Sequence, residues 1–191
     1  MKMLIIICSL VLTMIASAEI GLKFDRHGDF VPPDQFLQAR GFKSYLNGNV
    51  GKSINILKKS AKFGNDLSKY YIALMYFEKK DWTQGYAWLK LIDQPVKDSD
   101  ELTQNYKAAL SDNELQVSIN LLQQLQKDYN PVASLQRRSQ WERSLTVTGT
   151  RLTGIDALAR RNIRLSVGDE YVPVEATAIR DTVMNYVNNL N

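Results

Sequence analysis

Residues 39–64 read ARGFKSYLNGNVGKSINILKKSAKFG, and residues 70–93 read YYIALMYFEKKDWTQGYAWLKLID. Displaced by 32 residues, the second stretch lies on the first: Gly41 meets Ala73, Phe42 meets Leu74, Tyr45 meets Phe77 and Asn49 meets Asp81. Ile54 then meets Tyr86, Ile56 meets Trp88, Leu57 meets Leu89 and Lys58 meets Lys90. Small residues fall on small ones, aromatic on aromatic, aliphatic on bulky apolar. A period in the thirties that holds two helical segments is the pattern of stacked helix hairpins. One hairpin cannot bury its own apolar face, so neighbours must stack to make a continuous core.

Outward from this repeat, helix and short turn are expected from Asp34 to about Tyr129, as segments near 34–46, 51–63, 67–79, 82–93, 99–110 and 113–129. Pro33 suits a first helical turn, and the charge of Asp34 suits a helix N-terminus. Asn47-Gly48-Asn49 and Gly64-Asn65-Asp66 supply residues that tolerate the left-handed conformation at helix ends. Lys79-Lys80-Asp81 places positive charge at another. Ser111-Asp112-Asn113-Glu114 matches a capping box, and Leu115, Ile119, Leu122 and Leu125, widened by Leu121, define one apolar face in the helix that follows.

The stretches Ala39–Gly64 and Tyr70–Asp93 resemble the Sel-one-like repeats of the tetratricopeptide superfamily. The resemblance rests on Ala39, Tyr45, Gly48, Leu57, Ser60, Ala61 and Gly64 in the first unit. In the second it rests on Ala73-Leu74-Met75-Tyr76 and Tyr86-Ala87-Trp88-Leu89-Lys90. Leu110 through Leu122 resembles the closing helix of bacterial arrays. The first unit departs from the pattern at Ser53 and Asn55, where alanine is usual, and the second has Glu78-Lys79-Lys80 in place of the glycine-bearing turn. The resemblance implies a small right-handed superhelix whose groove takes a peptide or a folded partner.

The chain ends carry different signals. Lys2, the apolar run from Leu4 to Ile15 and Ala16-Ser17-Ala18 form the pattern of a cleaved signal peptide, with Glu19 as the new N-terminus. The run is short for crossing about 30 Å of hydrocarbon. A periplasmic or secreted protein is therefore expected, not membrane-spanning after cleavage. Cys8 is the sole cysteine and leaves with the signal, so the mature chain offers no disulfide and no thiolate. Residues 19–33 read as an irregular lead-in. After Pro131, a short helix over Ala133–Arg143 is expected, then alternation at Leu145–Thr148 with Arg151–Gly154 following it. Short strands at Arg164–Val167 and Tyr171–Val174 come next, and a final helix over 175–190 with Ile179, Val183, Tyr186, Val187 and Leu190 on one side. The expected fold is thus mainly α: a solenoid of helical hairpins over 34–129 with a small β-containing extension over 130–191.

Composition narrows the function. Net charge is +4, from 24 basic and 20 acidic residues, with no basic stripe interleaved with aromatics, so nucleic acid is not expected as a partner. His27 is the sole histidine; between Asp25 and Asp29 it falls short of the four ligands of a closed zinc site. With one histidine and no mature cysteine, a Ser-His-Asp or Cys-His hydrolase is nearly excluded unless His27 serves. No glycine-rich loop follows a strand, so no dinucleotide or phosphate cradle is expected. Asp98, Asp100 and Glu101 form the densest acidic group, explained by the helix N-terminus they flank. No catalytic residue, cofactor or metal is expected.

What remains are residues suited to an interface. Tyr70 and Tyr71 are adjacent and cannot both face one core, so one of them, with Trp82 or Lys90, is the candidate for a groove contact. Arg137 and Arg138, with Arg143, Arg160, Arg161 and Arg164, would suit an anionic partner, although a charge run is more often a solvated face. The expected function is that of an adaptor or scaffold holding another protein or peptide. The alternatives are a carboxylate-dependent enzyme acting on cell-envelope glycan and a self-associating envelope protein.

Overall fold

The computed structural model describes residues 22–25, 29–145, 163–167, 170–174 and 176–189. Helix dominates these residues. Helix α1 (Pro33–Leu46) packs on α2 (Val50–Ala61), α2 on α3 (Asp66–Glu78), and α3 on α4 (Trp82–Leu89). Pro33 opens α1, as its fixed φ and missing donor favour. The Asn65 side chain caps α3 by accepting from the Ser68 amide, and Asp81 caps α4 by accepting from Gln84. The turn inside each hairpin passes through the left-handed region at equivalent places: Gly48 at φ 76°, and Lys80, 32 residues on, at φ 61°. The second unit thus makes the repeat's turn without glycine, at a cost of about 1 kcal/mol.

Close approach inside the hairpins depends on small residues. A Cβ on Gly41 would come within 2.7 Å of the Leu57 side chain, and one on Gly85 would fall into the Phe77 ring. Ser53 donates its buried hydroxyl to the Gly41 carbonyl at 2.8 Å. Ser60 likewise donates to the Asp34 carbonyl at 2.7 Å and accepts from the Ser68 hydroxyl at 2.8 Å. Around these stitches lies the main core, built from Ile54, Leu57, Ala61, Ile72, Ala73, Met75, Phe77, Trp88, Leu89 and Leu91, with Tyr129 closing it.

The next two helices rest on α4. Helix α5 (Ser99–Ala109) carries Asp100 and Glu101 in its first turn and buries only Ser99, while Leu102 and Tyr106 lean on the core. Helix α6 (Asp112–Tyr129) begins with the complete capping box of Ser111 and Glu114. Along its apolar face Leu122 and Leu125 join the core and Leu115 and Leu121 are half-buried, while Ile119 remains 37% exposed.

At the chain ends the structure corrects the expected irregular lead-in. Strands β1 (Lys23–Phe24) and β2 (Phe30–Val31) pair antiparallel, Phe24 opposite Phe30. They join α7 (Pro131–Ser144) and α8 (Ala176–Asn188) in a second core of Leu37, Phe63, Trp141, Leu145, Ile179, Val183 and Val187. Trp141 stands between the Phe30 and Tyr186 rings, at 6.1 and 5.9 Å. The last helix therefore returns to the first hairpin and covers it. Leu145 ends α7 as a buried core residue and not as a strand; residues 146–148 and 151–154, Leu190 and His27 lie outside the described residues. Strands β3 (Ile163–Val167) and β4 (Glu170–Val174) pair with each other.

Arg138 fastens this closure. It is 5% exposed. Its Nε donates to the Phe63 carbonyl at 2.8 Å, and one Nη donates to the carbonyls of Tyr186 at 2.9 Å and Asn189 at 2.6 Å. The guanidinium lies 4.3 Å from the Tyr186 ring centroid. It is a buried charge and not a solvated one. Arg138→Ala is expected to strand these carbonyls and destabilise the fold by about 3 kcal/mol, read as a lowered urea midpoint. Arg138→Lys should lose much of the same stability, because a single ammonium cannot span the fork. Exposed Arg143→Ala should stay within about 0.5 kcal/mol.

Candidate functional site

The sequence candidates separate into three places. On α1 and α3, four aromatic rings form a chain across the two hairpins: Phe42 to Tyr45 at 6.3 Å, Phe42 to Tyr71 at 5.4 Å, and Tyr71 to Tyr70 at 6.1 Å. Phe42 is 38% exposed, and Leu46, one turn further along α1, is 67% exposed. Tyr45, Tyr70 and Tyr71 are half-buried. Such rings offer wide contact at little cost in side-chain freedom and supply many interface anchors. Partial burial raises the Tyr70 hydroxyl above its ordinary value, and the Asp98 carboxylate adds to it. The Tyr45 hydroxyl, raised by its hydrogen bond to Glu78, ties the two hairpins together.

Trp82, 39% exposed, sits apart at the start of α4. It stacks on Phe77 and Tyr106, at 6.0 and 5.7 Å, and these two stack on each other at 3.6 Å. One of its faces is thus taken up in fixing α5 to the second hairpin. Sequence reasoning passed over Phe42 and Tyr106. The signal for Phe42 was its place between Ala39 and Leu46, which puts all three on one stripe of α1.

Lys90, the third candidate, is exposed beyond the end of α4 and lines two shallow recesses. One, of about 140 Å³, is walled by Gln94, Ser99, Asp100 and Thr103. The other, of about 290 Å³, is walled by Gln126, Tyr129 and Asn130. Asp93 lines both. Its carboxylate is 2.6 Å from the ammonium of Lys69, a lysine with no exposed surface that also reaches Asp66 at 2.8 Å and the Leu91 carbonyl at 2.9 Å. Asp66 in turn accepts from the amides of Asp93 and Gln94, at 3.2 and 2.9 Å. The recess wall is therefore rigidly held. Among the described residues no group of three or more His, Cys, Asp or Glu stands together as a metal site would need.

Arg137 does not join any of these places. It is half-buried and donates to the carbonyls of Lys62 and Asp128, at 3.3 and 2.9 Å, and with buried Arg138 it belongs to the seam between the first hairpin and the C-terminal helices. Arg160 and Arg161 lie outside the described residues.

Tyr129, in the wall of the larger recess, meets Trp88 edge-on at 4.8 Å beneath the Lys62 ammonium. Burial pushes its hydroxyl up to about 12, helped by the Asp128 carboxylate. Because the unfolded phenol ionises near pH 10, the stability this tyrosine contributes is whole below about pH 10 and lost as pH rises towards about 12. Urea midpoints measured across that window should fall for the natural chain and fall less for Tyr129→Phe. A remaining slope is expected from Tyr186, raised in the same direction by burial and by the neighbouring Asp34 carboxylate.

No protein-family model, no curated protein and no solved structure matches the chain.

Proposed function

We propose that the protein is an exported adaptor that holds another protein or peptide, with the aromatic chain Phe42–Tyr71–Tyr70 on α1 and α3 as the anchoring surface. The single observation that carries this reading is the contact of these rings across two successive hairpins while Phe42 remains 38% exposed. Rings needed only for packing between the hairpins would be expected beneath the surface, as Trp88 and Tyr86 are. The resemblance of the two units to Sel-one-like repeats supports the same reading, as does the signal-peptide pattern at residues 1–18 for export. No described helix is long and apolar enough to cross a membrane.

A second reading is favoured by one arrangement: Asp93 and Asp100 line the same recess. A glycan-acting enzyme needs paired carboxylates of this kind. Against it, Asp93 is engaged by buried Lys69, which leaves Asp100 without a mobile acid or base opposite.

The test places a photoreactive residue at Lys43, which is exposed next to Phe42, and crosslinks the chain in its own cell envelope. A discrete partner is expected, and Phe42→Ala, Tyr70→Ala and Tyr71→Ala should each weaken its binding by about tenfold or more while circular dichroism is unchanged. Capture that is indifferent to all three variants would remove the aromatic surface. Release of sugar from envelope glycan, abolished in Asp100→Asn, would establish the second reading instead.

A further inference from the structure

Lys69, Asp66 and Asp93 join one ammonium to two carboxylates, so the group carries a net negative charge. That charge surfaces at Asp93, whose side chain is 44% exposed against 11% for Asp66. Asp93 lines the recess of about 140 Å³ together with Asp100, and Lys90 is the one cation among the described residues around it. Asp100 belongs to a run of Asp98, Asp100 and Glu101 at the start of α5. A helix N-terminus is equivalent to about half a positive charge, so three carboxylates exceed what it calls for. Residues 90–101 hold four carboxylates and two ammoniums in a chain whose net charge is +4. The recess is an acidic spot on a basic protein.

Its neutral groups are acceptors as well. Thr103 lines it, and the Thr103 hydroxyl already donates to the Ser99 carbonyl at 2.7 Å, which leaves only lone pairs to offer. Ser99 lines it while being 3% exposed, and its hydroxyl has no hydrogen-bond partner among the described residues. A polar side chain so deeply buried is ordinarily paired, and a partner for this one can enter through the recess. Ile92 and Pro95 add apolar wall. The aromatic chain ends close by. Tyr70 stands one turn along α3 from Asp66, and Asp66 holds the amides of Asp93 and Gln94. The Asp98 carboxylate is near enough to act on the Tyr70 hydroxyl.

We infer that this recess takes a lysine side chain of the held peptide, with the apolar stem on Ile92 and Pro95 and the ammonium among Asp93, Asp100 and the Ser99 hydroxyl. The inference rests on the adaptor reading and names the chemistry of its partner. Charge selects a cation: Asp66, Asp93 and Asp100 set against Lys69 and Lys90 leave one negative charge, which one ammonium balances. The acceptors select lysine. They come from separate elements, the loop before α5 and α5 itself, and an ammonium turns three donors about one point, whereas a guanidinium needs a planar fork. Lysine also lays its stem on apolar surface while its charged end stays with polar groups.

The experiment titrates the purified, isotope-labelled full chain with Nα-acetyl-lysine amide and follows its amide resonances. Acetyl-norleucine amide, which keeps the stem without the charge, and acetyl-glutamate amide serve as controls. The capped lysine should shift Gln94, Asp100 and Thr103 along a saturable curve, and neither control should. Ser99→Ala and Asp100→Asn should each weaken that binding about fivefold or more with circular dichroism unchanged. Lys90→Gln should tighten it by removing the competing cation. Norleucine as effective as lysine, a response that never saturates, binding indifferent to Asp100→Asn, or glutamate binding that Lys90→Gln abolishes would overturn the inference. Phe42→Ala separates this result from the adaptor reading. It should leave the capped-lysine curve unchanged while weakening the crosslinked partner, so a recess that takes lysine beside an aromatic surface that captures nothing would sink that reading alone.

Discussion

A lysine with no exposed surface governs the middle of this molecule. Taking the Lys69 ammonium out of water costs several kcal/mol unless charge and hydrogen bonds replace the solvent. Two carboxylates and one carbonyl do so here. The requirement dictates the path of the chain. Residues 91–94 must fold back over the start of α3, so that Asp93 reaches the ammonium and Asp66 receives the amides of Asp93 and Gln94. That return sets where α5 begins, and with it where Tyr106 stacks on Phe77 and where the two recesses beside Lys90 open. Removing both carboxylates would leave the buried ammonium uncompensated, and removing Lys69 would leave Asp66 without its counter-charge.

The position is legible in the 32-residue spacing. Displaced by 32 residues, Lys69 falls on Leu37, which is 4% exposed and lies in the second core; Asp66 falls on Asp34, which is 6% exposed. The spacing thus places both at interior positions, against the ordinary preference of a helical lysine for the surface. The helices from Pro33 to Tyr129 were legible because caps, turns and apolar spacing are local. Strands β1 and β2 were not, since two-residue strands carry no alternation. Their pairing depends on Phe30 meeting Trp141 and Tyr186, far along the chain. The burial of Arg138 is hidden from the sequence for the same reason. Its acceptors are carbonyls 75, 48 and 51 residues away, and nothing in the spelling of its own segment distinguishes it from Arg143.

The candidate surface shows how polar and aromatic residues divide between framework and display. Tyr129, Tyr186 and Trp88 are closed in by neighbouring helices, while Tyr70 and Tyr71 are half-buried and Phe42 is exposed. Adjacency of Tyr70 and Tyr71 in sequence was enough to foresee that both could not face the core. It did not identify Phe42 as their neighbour, because that contact joins two hairpins and depends on how α2 sets their spacing.

The return of α8 to the first hairpin sets this helical fold apart from an open stack of hairpins. In an open array each unit touches only its neighbours, so units can be added or lost and can melt in sequence. Here the opening hairpin is covered by the closing helix, and Arg138 binds carbonyls from both. Inserting one more unit would carry α7 and α8 away from the surface they cover. The number of hairpins between them is therefore fixed by closure, and α1, α7 and α8 must come apart together.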